Sequence, residues 1–200
     1  MKEFTPTSMN ARQRSQADTR NRLLESAAQL FAEKGSKNTR TNEIAESAQV
    51  AVGTVYLHFK SKDSLLKEVL KVALTRLKQE IAKFPPESND LVRNKMDALA
   101  TFTENFPFLA AVLFDGGNLA TSPGQEVLGF LTASQERGLL EGVSKGYYRG
   151  DLNSTLAARS MVGSLTQVLY WWSKNMESVT KKEVIDTLTI MRLEGLKPVT

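Results

Sequence analysis

The stretch TNEIAESAQVAVGTVYLHFKSKDSLL, residues 41–66, decides the fold. Ile44, Ala45 and Ala48 fall on one face of a short helix over about 41–48. A second short helix is predicted over about 51–58, and only the Ala48–Val50 segment joins the two. Three short helices with so brief a joint form a helix-turn-helix, the first of the three lying upstream. Val55 and Phe59, spaced i, i+4, turn toward the bundle, while Thr54, Tyr56 and His58 fall on other faces. A helix of this size fits the major groove of DNA, its first residues meeting base edges while flanking residues hold phosphates. Gly53 costs about 1 kcal/mol against alanine inside a helix, so it needs a reason. Close approach to a DNA backbone or a thymine methyl is one; close packing against a neighbouring helix is the other.

Upstream, Leu23, Leu24, Ala27, Ala28, Leu30 and Phe31 recur at helical spacing between Thr19 and Lys34, and Gly35 stands where a helix terminates in the left-handed region. Residues 1–18 read as a flexible basic arm, a solvated tail or one that reaches a minor groove or phosphates through Arg12 and Arg14, with Arg20 and Arg22 just beyond. Downstream, Ser61 is the predicted cap of a fourth helix running to about Lys83, stopped by Pro85 and Pro86. Further helices are predicted over about 89–105, from Pro123 past Val143, over 155–174 and over 181–196, with a turn at 146–151 capped onward by Asn153 or Ser154. No period-2 strand pattern and no internal repeat emerge. The fold class is therefore all-α, with an arm at 1–18, a helix-turn-helix DNA-binding domain at 19–62 and a second helical domain at 63–200, to which the family resemblance given below adds effector binding and dimerisation.

Composition narrows the chemistry. The 200 residues include 41% apolar and 24% charged side chains, enough for a sizeable core without staples. There is no cysteine and a single histidine, His58. Disulfides, thiolate nucleophiles and multi-histidine metal sites are thereby excluded. Without a phosphate loop, nucleotide fingerprint or metal set, the reading is of a protein that is not an enzyme and needs no cofactor or metal. No run of about 18 apolar residues and no secretory leader is visible, so no membrane span and a cytoplasmic address are expected. Residues 1–62 hold ten Lys/Arg against six Asp/Glu, which accounts for the whole net charge of +4. That asymmetry suits nucleic acid, although an ordinary basic surface would carry it too.

LLESAAQLFAEKG (residues 23–35) followed by residues 41–66 resembles the DNA-binding domain of the TetR family of transcriptional regulators, and GTVYLHFKSKDSLL is its most specific part. GVSKGYYRGDL at 142–152 also resembles a recurring family feature. The resemblance implies that Arg40 and Thr41 sit beside the DNA backbone or an adjacent base. It implies that Val52, Gly53 and Thr54 meet base edges, that Tyr56 and His58 bind phosphates, and that Lys62 adds a charged phosphate contact. Three positions depart from the family pattern. Gln49 replaces the turn glycine, at about 1 kcal/mol if it is left-handed. Ala51 replaces a Ser or Thr cap, and Arg40 stands where Ser or Thr begins the second helix, leaving Thr39 or Thr41 to cap it.

The resemblance further implies an effector site in the larger domain. Met96, Leu99, Phe102, Phe106, Phe114 and Trp172 are the candidate lining, which suits a lipophilic or aromatic small molecule; an ordinary helical core uses the same residues. The helix over 155–174 is apolar on more than one face, and Gly163 with Ser164 leaves room for another helix. The family pattern pairs the last two helices, 155–174 and 181–196, with their copies in a homodimer. A symmetric dimer calls for double-stranded DNA with a pseudo-palindromic operator. The expected function is a sequence-specific DNA-binding regulator, a ligand-responsive homodimeric repressor. The alternative is a helical small-molecule-binding protein with a non-functional helix-turn-helix.

Overall fold

The computed structural model describes residues 11–84 and 91–196, and among these every regular element is an α-helix. The chain order is α1 (Ala11–Lys34), α2 (Thr41–Ser47), α3 (Val52–His58), α4 (Lys62–Ile81), α5 (Leu91–Asn105), α6 (Pro107–Phe114), α7 (Gly116–Leu119), α8 (Ser122–Ser144), α9 (Ser154–Ser173) and α10 (Lys181–Leu196). The stop expected at Pro85–Pro86 lies outside the described residues, and α4 already ends at Ile81.

Two local expectations are corrected. Helix α1 starts at Ala11, so residues 11–18 are helical rather than part of an irregular arm. The segment ARQRSQAD contains no Gly or Pro, and adding turns to an already nucleated helix carries no nucleation cost. Helix α2 is not capped by a threonine side chain. Arg40 occupies the cap, and its backbone N–H donates to Glu43 Oε2 at 2.8 Å. The buried Thr39 points the other way, its hydroxyl donating to the Gly35 carbonyl at 2.9 Å to close the end of α1. Gly35 has φ +79°, the left-handed geometry expected of it.

Apolar periodicity set the packing. Leu23, Ala27 and Phe31 of α1, Ile44 and Ala45 of α2, Val55 of α3 and Leu65, Val69 and Leu70 of α4 are buried together. The same cluster runs on without a break through Ala73 and Leu77 of α4 into Met96, Phe102, Val112, Leu113, Phe114, Leu169 and Trp172. Helix α6, apolar along its length, lies at the centre against α1, α4, α5 and α9. Ser61 caps α4 reciprocally: its Oγ accepts from Ser64 N at 3.1 Å, and Ser64 Oγ accepts from Ser61 N at 3.0 Å. Asn153 Oδ1 caps α9 by accepting from Leu156 N at 3.0 Å. Helix α4 packs against α1, α5, α6 and α8 and so contributes to both ends of the core.

Candidate nucleic-acid interface

Helix α3 is fixed from within by Val55 and Phe59, both buried. A residue two places from Val55 points roughly opposite to it. Gly53, Tyr56 and Leu57 accordingly form the outward stripe, with Tyr56 55% and Leu57 86% exposed. Val52 is exposed as well; Thr54 and His58 are half-buried at the edges of the stripe. A Cβ added to Gly53 would meet nothing within 4 Å. Packing against a neighbouring helix of the same chain is thus not the reason for this glycine, and its open side faces outward.

The turn between α2 and α3 bends at Gln49, whose φ is +55°. The position does require the left-handed region, and glutamine carries the steric cost there in place of glycine. Ala48 and Val50 anchor the turn on either side, Ala48 buried and Val50 packed against the core.

A shallow, basic groove lies between the loop that enters α2 and the start of α4. It is lined by Lys37, Asn38, Thr39, Arg40, Thr41 and Lys62, so three of its six residues are cations and none is acidic. Arg40, Thr41 and Lys62 are the expected residues here; Lys37 and Asn38 were not anticipated. Asn38 Nδ2 donates to the Lys34 carbonyl at 2.9 Å, which holds the loop against α1. The Lys62 ammonium does not stand free: it donates to the carbonyl oxygens of Lys37 at 3.2 Å and Thr39 at 3.0 Å. Lys34 and Glu43 pair at 2.7 Å across the α1–α2 junction. This bond and the Arg40 N–H hold the Glu43 carboxyl below its ordinary value. Arg20 is also committed, pairing with Glu68 of α4 at 2.5 Å with its guanidinium 5.2 Å from the Phe59 ring centre.

Leu57 was the missed member of the outward stripe. Its signal was present in the spacing, because 57 lies opposite the inward pair 55 and 59. Lys37 could not be placed from spacing alone, since the loop acquires its course only when Thr39 and Lys62 bind it. The structure brings Arg40, Thr41 and Lys62 together in the groove and sets Val52, Gly53, Thr54, Tyr56 and His58 along α3.

Of the six candidate effector residues, Phe102, Phe106 and Phe114 are brought together, and the other three belong to or pack against the same extended core. Met96, Phe102, Phe114 and Trp172 are buried in one cluster, with Leu99 and Phe106 packed against it. The Phe102 ring meets Phe114 edge-on at 6.1 Å and lies 5.9 Å from Phe106. Trp172 Nε1 donates to the Val179 carbonyl at 2.8 Å, which satisfies its one polar atom. Among the described residues no group of three or more His, Cys, Asp or Glu is placed to hold a metal, and no helix is long and apolar enough to cross a membrane.

A helix-turn-helix with an outward-facing third helix and basic residues at the entry to α2, built on a body that is helical among the described residues, is the arrangement of a DNA-binding transcriptional regulator. The family model for bacterial regulatory proteins of the tetR family matches residues 23–69. Over 193 residues the chain is 28% identical to the HTH-type transcriptional repressor KstR2 of Rhodococcus jostii (strain RHA1), covering 88% of this chain and 90% of that protein. It is 26% identical over 160 residues to the fatty acid metabolism regulator protein of Bacillus subtilis (strain 168), covering 76% and 82% of the two chains. The fold is similar to that of the fatty acid degradation regulator FadR from Bacillus halodurans, with a TM-score of 0.74, 24% identity and coverage of 89% and 96%. Residues 23–69 thus carry the DNA-binding domain of bacterial regulatory proteins of the tetR family, and most of the chain is similar to transcriptional regulators that share it.

Proposed function

We propose that the protein is a cytoplasmic, ligand-responsive repressor that acts as a homodimer on a pseudo-palindromic operator. The observation that carries the reading is the outward stripe of α3. Gly53 is open on its outer side and Tyr56 is exposed, although the rest of the head is tightly packed. In this reading residues 19–62 form the reading head and 63–200 the effector and dimerisation domain. Val52, Gly53 and Thr54 approach base edges, Tyr56 and His58 contact phosphates, and Arg40, Thr41, Lys37 and Lys62 line the groove for the adjoining strand.

Dimerisation is supported by what one chain leaves uncovered. Leu156 and Trp171 of α9 and Ile190 and Met191 of α10 are exposed, with Leu156 at 67% and Met191 at 65%. Gly163 and Ser164 lie on the same outer side of α9, and a Cβ at Gly163 would meet nothing within 4 Å. A second copy laid against this side buries the apolar residues and spaces two α3 helices for successive major grooves. Binding of a lipophilic or aromatic molecule beside Phe102, Phe106 and Trp172 favours a dimer whose α3 helices are wrongly spaced, and α4 transmits the difference.

The test is fluorescence anisotropy of the full chain with labelled fragments of its own genomic neighbourhood. Saturable binding that Tyr56→Ala weakens on every fragment supports the reading. Absence of binding to any fragment favours a helical small-molecule-binding protein with a non-functional helix-turn-helix.

A further inference from the structure

Helices α5, α8 and α10 meet around a buried polar cluster that plays no part in the reading head. Arg192 of α10 is only 9% exposed, and its Nε is sealed from solvent with no acceptor, while its Nη1 donates to Gln135 of α8 at 3.0 Å. One turn earlier, the Thr189 hydroxyl is also buried without a partner. Lys95 of α5 is half-buried and near enough to Arg192 to feel its charge; its ammonium lies 4.0 Å from where a Cβ on Gly138 would sit. Among the described residues neither Lys95 nor Arg192 has a carboxylate within ion-pair distance. Glu141 is the acid whose field reaches Lys95, but its carboxylate is bonded to Lys145 at 2.6 Å. Burial, and next the Arg192 charge, hold Lys95 below the ordinary lysine value of 10.5. Two cations that repel each other in a poorly solvated place, with a spare N–H and a spare hydroxyl, form an incomplete arrangement. One anionic oxygen group would complete it.

We propose that Lys95, Arg192 and Thr189, with Gln135 and Gly138 shaping the wall, form a binding site for an oxyanion, and that its ligand is the carboxylate of an otherwise apolar small molecule. The apolar part has a place on the same stripe of α5: Leu99 and Phe102 follow Lys95 at i+4 and i+7. Both belong to the apolar cluster. A carboxylate brings charge-assisted bonds to both cations, and the Leu99–Phe102 side takes the hydrocarbon. Gly138 brings the α8 backbone beside the Lys95 ammonium, which lies an ordinary contact distance of 4.0 Å from where its Cβ would be. The ligand class rests on the effector role proposed for the larger domain; the anion site itself does not.

The test compares octanoate, its neutral isostere octanamide, and inorganic phosphate at matched ionic strength. Each is titrated against the DNA-free full chain and followed by thermal unfolding and tryptophan fluorescence. Octanoate is expected to bind about tenfold or more tightly than octanamide, as charge-assisted hydrogen bonds allow. Arg192→Met and Lys95→Met should each erase that preference while leaving octanamide binding unchanged. Equal binding of acid and amide by the unaltered protein overturns the proposal, as does indifference to all three probes; neither result requires a variant to fold. Stabilisation by phosphate alone, lost in Lys95→Met, keeps the oxyanion site and overturns the carboxylate ligand. Adding operator DNA separates the two proposals. Selective octanoate binding without DNA release sinks only the effector role, and DNA release by neutral molecules alone sinks only the carboxylate site.

Discussion

The Lys62 ammonium donates to the Thr39 carbonyl oxygen across 3.0 Å, tying the first turn of α4 to the loop that enters α2. A second bond, to the Lys37 carbonyl, widens the clamp. The lysine that the family resemblance offers as a phosphate ligand therefore also shapes the groove in which phosphate would lie. Its charge lines the groove, and its geometry is set by the protein.

Lys62→Ala should for that reason affect two measurements together. Losing the clamp should lower stability by about 1 kcal/mol in urea unfolding, and DNA affinity should fall because Lys37 and Arg40 lose their placement. Reduced affinity with unchanged stability would mean that the clamp contributes nothing.

Gly53→Ala separates fold from function by sign. The added methyl meets open space within the chain, so the helix should gain up to about 1 kcal/mol from propensity. If DNA approaches this point, affinity should fall by about tenfold, roughly 1.4 kcal/mol, at the same time. Paired unfolding and anisotropy measurements decide it; unchanged DNA binding would move the contact elsewhere on α3.

Gln49→Gly should stabilise the protein by about 0.5–1 kcal/mol. Relief of the left-handed strain exceeds the extra entropy glycine gives the unfolded chain. Urea midpoints report the change, and a lower midpoint would show that the Gln49 side chain has a compensating role.

Glu43 gives an acid-dependent signature. Its carboxyl is held low by the Lys34 side chain and the Arg40 N–H, so the bonds are intact above the ordinary value of 4.5. Their contribution is lost as pH falls through the lowered value in the folded protein. The gap in thermal midpoint between the natural protein and Glu43→Gln should thus be open near neutrality and close in acid. A gap independent of pH would assign the effect to shape rather than charge.

Leu156→Lys combined with Ile190→Lys places charge on the exposed sides of α9 and α10. Both residues are outside the core, so helicity and monomer packing should be kept, while sedimentation shifts from dimer toward monomer. Operator affinity should drop with it, because two half-sites are no longer joined. A dimer that survives both substitutions uses another surface.

The inward residues of the head were legible because a short helix with one buried stripe has few arrangements. Val55 and Phe59 fix the rotation of α3, and the exposure of Tyr56 follows. The left-handed turn at Gln49 was legible as a conflict between residue and position. Sequence reading failed where a side chain chooses among distant partners. Thr39 could cap α2 or close α1, and only the course of the loop decides; Arg20 looked like part of a basic tail until α4 brought Glu68 to it.

Composition and periodicity by themselves determined an all-helical chain, the position of its helix-turn-helix and the apolar residues that would be inside. These follow from local spacing, since burial acts on every helix face in the same way whatever lies opposite. Tertiary structure alone decided how each cation is engaged. Lys62 is bound to carbonyls, Arg20 is bound to an acid, and, among the described residues, the half-buried Lys95 and the buried Arg192 have none within ion-pair distance. Electrostatic roles depend on distances between residues far apart in the chain, and no local pattern encodes those distances.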